Sequence, residues 1–488
     1  MAKFKDLPND IIYVLYQHLR PLDFLALNQT SRELHALGCT AYAWQQLRVD
    51  IPLNVDYHQN ESVSVLRRVL LQSLKIDANW KSESTRIQKG SRFPHGDFIY
   101  FVHLLRDDLL FTISRDTWSE LAYLSAWKLG SAKSAPRRLG KIEPKHQGIS
   151  LLPTRFSAAK HTDEDRVVIA MFTDERRNGY LQSFSLSLRP EDLRPDAPYP
   201  AFDLEDSIDV TARPDLLAQI HDVQIYNTII AASYTEFSEQ TNAPQYYELI
   251  ILDIENQHAR TINIGSKEDL AGDKFVFKLF PDSILIITSG KNDGSAAIYD
   301  LQDIMNSSSP ANTPFSATHN TIHGTKSLRT RYISEFFSSE YSVYLPVEAM
   351  SSIPSAITAV AVNNINGASH ALYIPIPRNK PTKPDTPLRR LNPHARLMMK
   401  AAAHLDCVHI GPAGRRMVWM EIVTEGNDIR IMKATLPVPG EEEVVVSQLL
   451  RDDDLPFKYS DCLSLWLDER HGRICISLLD QAICILDF

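Results

Sequence analysis

Apolar residues follow two rhythms along this chain, and the change falls near residue 95. In the opening stretch "LPNDIIYVLYQHL", Ile11, Ile12, Val14, Leu15 and Leu19 recur at the spacing of one helix face, and Pro8 stands in the first turn, where a helix tolerates proline. Pro21 restarts the chain at "PLDFLALNQ", Thr30 or Ser31 can cap the following "SRELHAL", and Gly38 offers a stop. The spacing therefore predicts three short helices in under forty residues, a unit that buries little surface alone and needs a neighbour. An extended "RVDIPLNV" and a polar "DYHQNES" lead to a longer helix in "SVSVLRRVLLQSLKIDANW", with Val63, Leu66, Val69, Leu70 and Leu74 on one side.

Beyond residue 95 the helical period is gone, and short apolar runs separated by turn residues take over for nearly four hundred residues. The runs group into units of three strands: "FIYFVHLL", "DLLFTIS" and "LAYLSAWKLG" form the first, and "DCLSLWLDERHGRICISLL" with "AICILDF" the last. Unit ends fall near residues 129, 187, 254, 301, 376, 435 and 488. Small sheets that cannot each bury two faces are best satisfied by radial packing, which predicts a β-propeller of about seven blades. The first unit, with "SRDTWSELAYLSAWKL", comes nearest to a WD-type repeat, although no GH or WD dipeptide signature is kept. The last unit is one strand short, and a bare edge invites aggregation, so Ser84 to Gly90 is expected to supply the missing strand. Residues 131 to 164 and 190 to 218, rich in proline and charge, read as loops on the rim, and residues 307 to 325 as a flexible connection between blades. The proline-rich basic stretch 375 to 400 reads as a solvated loop, with nuclear import as the sharper alternative.

Charge and cysteine usage narrow the functional classes. Sixty acidic against 51 basic residues give a net charge of -9, no field for nucleic acid or for an anionic membrane. Cys39, Cys407, Cys462, Cys475 and Cys484 are irregularly spaced with no CxxC pair, and read as buried free thiols in a reducing compartment. No apolar run is long enough to span a membrane, so the expected location is the cytoplasm, the nucleus or both. No GxSxG elbow, phosphate loop, HExxH or Cys/His cluster occurs, and "GKNDGS" at 290 to 295 lies between strands as a hairpin turn. The expectation is a protein without cofactor, metal or catalytic residues. Of the scattered histidines, His103, His221, His404, His409 and His471 are read as core or rim residues, and paired carboxylates or a ring of histidines converging on the central channel would favour an enzyme.

The arrangement of Leu7 and Pro8, the Ile11–Ile12 pair, Leu15, Leu19, "PLDFLAL" and "SREL", followed by Trp44 and Leu47, resembles the F-box family over about residues 3 to 48. Leu34 departs from the pattern, standing near where many members carry an aromatic residue. The resemblance implies an α+β multidomain protein: an all-α F-box at 1–48, a helical linker at 49–83, and an all-β propeller at 84–488. It also implies docking to a Skp-type adaptor, and through it to a cullin-RING ubiquitin ligase, by Leu7, Pro8, Ile11, Leu15, Leu19, Pro21, Leu22, Leu25 and Leu27, whether these face the adaptor or the module's own core. The propeller would then hold a client protein. By analogy with other propeller receptors the turns between second and third strands face the client, which singles out Arg115, Arg176, Arg177 and Lys291 for an anionic or phosphorylated motif. A scaffold that binds the adaptor without client turnover, and a ligand-binding or hydrolytic propeller, are the rival readings.

Overall fold

The computed structural model describes residues 7–46, 62–83 and 85–488, except 106–107, 117–120, 131–134, 145–154, 161–165, 176–177, 190–202, 210–215, 239–243, 257, 267–274, 307–318, 321–327, 347–355, 364–369, 379–388, 394, 399–402, 412, 424–427, 437–444 and 451–454. Four short helices come first: α1 (Asn9–Tyr16), α2 (Pro21–Leu27), α3 (Arg32–Gly38) and α4 (Ala41–Gln46). Pro21 occupies the first position of α2, and the Ser31 hydroxyl accepts from the Leu34 N–H at 3.2 Å to cap α3. Ile12 and Tyr16, one turn apart, join Phe24, Leu34, Ala43 and Trp44 in a core of their own. Gly38 makes that core possible. A Cβ there would sit 2.3 Å from the amide of Asn28, which accepts from the Tyr16 hydroxyl at 3.0 Å.

Helix α5 (Val63–Lys81) connects this module to a ring of sheets. Its first half completes the module's core with Leu66 and Leu70, and its end lies in the sheet core with Trp80.

The rest, among the described residues, is seven sheets, each with four antiparallel strands; the third and fourth add a short parallel strand at the outer edge. In chain order their first strands are Phe98–Leu105, Arg155–Lys160, Leu216–Tyr226, Phe275–Leu279, Tyr341–Tyr344, Ala403–Ile410 and Cys462–Asp468. Each first strand lies at a sheet edge, and first strands of sheets 6, 7, 1, 2, 3 and 4 touch in that order, so these edges form the inner ring around an axis. Seven apolar clusters fill the seven seams. One joins Leu109, Phe111 and Ile113 of sheet 1 to Val167, Ile169 and Met171 of sheet 2, and another joins Ile99, Val102 and Leu104 to Trp466, Cys475 and Ile483, closing sheet 7 against sheet 1. A closed ring of seven such sheets packed face to face is a seven-bladed β-propeller.

Three expectations need correction. The closing strand is Lys89–Pro94, paired with Ala482–Asp487 from Lys89↔Asp487 to Pro94↔Ala482, so that of the expected residues 84 to 90 only Lys89 and Gly90 belong to it, residue 84 lying outside the described residues. The Asn79 amide holds the Arg86 backbone through both its N–H and its C=O, at 2.9 and 2.8 Å, and so keeps that segment off the ladder. The segments read as rim loops contain strands Arg137–Ile142, Arg155–Lys160 and Asp203–Asp209, and the basic stretch contains Ala395–Met398 and the buried Arg378. Outer strands such as "DLEDSID" form the far edge of a blade and lack the apolar signature of the inner three. Residues 319 and 320 form a short strand within the expected connection at 307 to 325, whose remainder lies outside the described residues. All five cysteines are free, but Cys39 is exposed, at the open end of α3.

Candidate functional site

The helical module separates residues that spacing alone left mixed. Ile12 and Tyr16 face inward, and Leu7, Leu19, Leu25 and Leu27 pack half-buried against the module core, with Pro21 buried. Pro8, Ile11, Val14, Leu15 and Leu22 stay outside, Ile11 being 44% and Leu22 63% exposed. Ile11, Val14 and Leu15 therefore do not share the face of Ile12, as the spacing had implied; the core is reached by the i, i+4 pair Ile12 and Tyr16. The result is a set of apolar side chains concentrated on the first two helices of a module whose core is already filled.

Beyond the module, the chain builds a strut. Helix α5 has 19 residues, a length of about 28 Å at the usual rise. Trp80 is 1% exposed, donates from Nε1 to the Ala434 carbonyl at 3.2 Å and meets Phe488 edge to face. Lys433, held near the helix end by the carbonyls of Trp80 and Ser82, places a cation at the negative pole of the helix, and burial pushes its pKa down to about 8. Arg416 links Asp77 of α5, at 3.4 Å, to the Glu469 carbonyl at 2.6 Å. The Glu469 carboxylate, raised in pKa by burial, accepts the N–H groups of Ala413 and Arg415 at 2.7 and 2.9 Å. Gly472, at φ +63°, lets Ile76 seat against the last blade, since a Cβ there would lie 2.5 Å from Ile76 Cγ2. Trp80→Ala is expected to cost about 3–5 kcal/mol, read as a lower urea midpoint, because it empties a large buried site shared by helix and ring. An unchanged midpoint would mean that the strut is not seated there.

Every α5 anchor on the last blade lies at a turn between first and second strands or at the end of a third strand. In an up-and-down sheet these positions share one end, and turns between second and third strands share the other. Arg115, half-buried and engaged with neighbouring groups, ends the second strand of blade 1, and the exposed Lys291 sits in the corresponding turn of blade 4. They occupy the face of the ring opposite the strut. Arg176 and Arg177 lie outside the described residues. Lys291 belongs to the hairpin expected from "GKNDGS", with Thr288 paired to Ser295.

The first blade carries a buried polar network. His95 meets Thr112 Oγ1 at 2.8 Å and packs on Trp127 with ring centroids 5.1 Å apart, and burial lowers its pKa to about 4 against the raising effect of Asp97.

Of the scattered histidines, two converge on the axis. His103 of blade 1 and His409 of blade 6 lie on the indole of Trp466 of blade 7, with ring centroids 4.0 and 4.2 Å away. Burial lowers both pKa values to about 3, so both imidazoles are neutral at physiological pH. His221 contacts Thr235 within blade 3 and His471 contacts Asp468 within blade 7, away from this pair. Among the described residues no group of three or more His, Cys, Asp or Glu is placed to hold a metal ion, and no helix is long and apolar enough to cross a membrane. Sequence reasoning had no means of pairing positions 103, 409 and 466.

No family model and no curated protein matches this sequence. Solved structures do resemble it: the WD40 domain of SCAP from fission yeast is 11% identical with a TM-score of 0.36, over 82% of this chain and 98% of that one. The β-propeller domain of Nup133 from Vanderwaltozyma polyspora is 10% identical with a TM-score of 0.39, over 83% and 98%. Prolyl oligopeptidase B from Galerina marginata is 7% identical with a TM-score of 0.38, over 83% of this chain and 48% of its own. At such identities and scores the likeness carries no inference about partners or reactions. The class stands on the sheets themselves: a seven-bladed β-propeller with a helical module at its N-terminal side.

Proposed function

We propose that this chain is a substrate receptor of a Skp-cullin-F-box type ubiquitin ligase, working in the cytoplasm, the nucleus or both. The helical module docks to a Skp-type adaptor, α5 fixes the separation, and the propeller holds the client protein. The chain itself makes and breaks no bonds. Its contribution is proximity, raising the effective concentration of client lysines near the loaded enzyme. The observation that carries the reading is the apolar face of Pro8, Ile11, Val14, Leu15 and Leu22, left exposed on a module that already has a full core. Fully apolar side chains in such a group are costly to leave in water and are the usual anchors of a protein interface. The α5 strut supports it too, because a receptor needs its two ends at a fixed distance, and a continuous helix embedded in both cores provides one.

The test is co-purification of the full chain with a Skp-type adaptor. A stable complex is the expected result. Absence of any complex would reduce the opening helices to a structural cap on the ring. Complex formation without adaptor-dependent turnover of any bound client would leave a scaffold and overturn the receptor role.

A further inference from the structure

Each blade presents its fourth strand as an outer edge, and two of those edges already carry a further strand. His319–Asn320 adds in parallel to blade 3, with Thr261 opposite His319, and Arg389–Arg390 adds in parallel to blade 4, with Tyr332 opposite Arg389. Main chain and an apolar anchor hold the second addition: the Leu391 N–H donates to the Ile333 carbonyl at 2.9 Å, and the Leu391 side chain is buried in the seam of blades 4 and 5. The outer edges of this ring can therefore take an extended segment.

Other edges carry the devices that keep strands from pairing. The outer strands of blades 1, 2, 5 and 7 read "RRLGKI", "DLEDSID", "ARLM" and "KGSRFP", each with charge and the last also with proline. Blade 6 differs. Its outer strand, Val445–Gln448, has neither, and among the described residues no strand pairs beyond it. Val445 is 37% exposed. The Leu449 N–H donates to the Ile431 carbonyl of the third strand at 2.8 Å, and Ser447, opposite Lys433, shares that inward pairing, so Val446 turns its N–H and C=O away from the sheet. The sequence brackets this strand with acid: Glu441 to Glu443 end two residues before Val445, and Asp452 to Asp454 begin four residues after Gln448. Carboxylates are thus tied within about 7 and about 14 Å of chain from its two ends.

We infer that the outer edge of blade 6 docks an extended, basic segment of a partner protein by strand addition, with a β-branched residue against Val445 and lysine or arginine at the segment's free positions. Val446 supplies main-chain hydrogen bonds, the exposed valine selects an apolar cross-strand contact, and the acidic brackets select cationic side chains. This surface is distinct from that of Ile11 and Leu22 on the helical module and stands or falls independently of the ligase reading.

The full chain is titrated by fluorescence anisotropy against a fluorescein-labelled heptapeptide of alternating lysine and valine. Saturable binding at one site per chain below about 100 µM is expected, at least tenfold tighter than for the same peptide with glutamate in place of lysine, and weakening with added salt. Hydrogen exchange on the wild-type chain locates the contact: the bound peptide is expected to slow exchange of the Val446 amide, a readout that needs no variant. Val446→Pro removes the outward N–H and is expected to weaken binding tenfold or more with the urea midpoint little changed, because proline is tolerated where an edge N–H faces solvent. Failure to saturate, equal binding of the glutamate peptide, or unchanged exchange at Val446 overturns the proposal. Self-association of the chain that slows the same amide while the peptide does not bind would assign the edge to a second copy and overturn it as well.

Discussion

Replacing Ile11 and Leu22 together with aspartate is expected to weaken adaptor binding by a hundredfold or more, about 2.7 kcal/mol, while the melting temperature of the full chain changes by about 2 °C or less. Both residues are exposed, so a polar replacement removes nothing from the module's core. Both also stand in the first turn of their helices, α1 beginning at Asn9 and α2 at Pro21, where a carboxylate is favoured by the helix dipole. An interface loses more, because two central apolar anchors become charges that must be desolvated. Trp44→Ala is the opposite control. Its ring is 2% exposed, donates to the Gly38 carbonyl at 2.7 Å and packs on Phe24, so binding is lost together with the fold of the module. Substituting Leu7 and Pro8 is less informative, since Leu7 also packs on the core and a loss would mix docking with stability. Deleting residues 1 to 48 has a similar defect, because it strips the cover from Leu66 and Leu70 of α5. Pull-down and calorimetry with purified adaptor decide the matter: retained affinity in the double aspartate variant places docking elsewhere.

How much of this was legible in the sequence depends on where each residue sits in the ring. The expected unit ends fall within one residue of the observed third-strand ends at Lys128, Ser187, Asp253, Asp300, Pro377, Thr435 and Asp487. These strands are buried on both faces between blades and so read as dense apolar runs. Outer strands carry no such signal. Arg137–Ile142 and Asp203–Asp209 are as polar as loops, and only their pairing with the third strand distinguishes them. The closing strand was anticipated as a device and misplaced by five residues, because the side chain that sets its start, Asn79, acts through a local backbone contact that no periodicity reports. In the module, leucine spacing marked the helices correctly, but the choice between Ile11 and Ile12 as the core residue depends on the angle at which α1 meets α4 and α5. The neck of the ring, where His103 and His409 stack on Trp466, was out of reach altogether. Its one trace is a histidine or tryptophan inside otherwise apolar first strands, as in "FIYFVHLL" and "DCLSLWLD".

Acidification is expected to destabilise the propeller through that neck. His103 and His409 have folded pKa values near 3 against about 6.5 in an unfolded chain. The folded state therefore binds their protons less readily than the unfolded state, and stability falls as pH drops from about 6.5 toward 3, by about 1.4 kcal/mol per histidine for each pH unit. Above 6.5 both states hold the imidazoles neutral and this contribution is flat. His95 adds a loss of the same sign, reaching down to about 4. Glu469 works in the other direction, since burial raises its pKa and favours the folded state as pH falls through the raised value toward the ordinary one. The comparison that isolates the neck is a urea series across pH on wild type and on His103→Gln with His409→Gln, because every other titrating group cancels in the difference. The wild-type curve is expected to drop below the variant's by about 4 kcal/mol near pH 5 relative to their separation at neutral pH; parallel curves would mean that the imidazoles are hydrated and not truly enclosed.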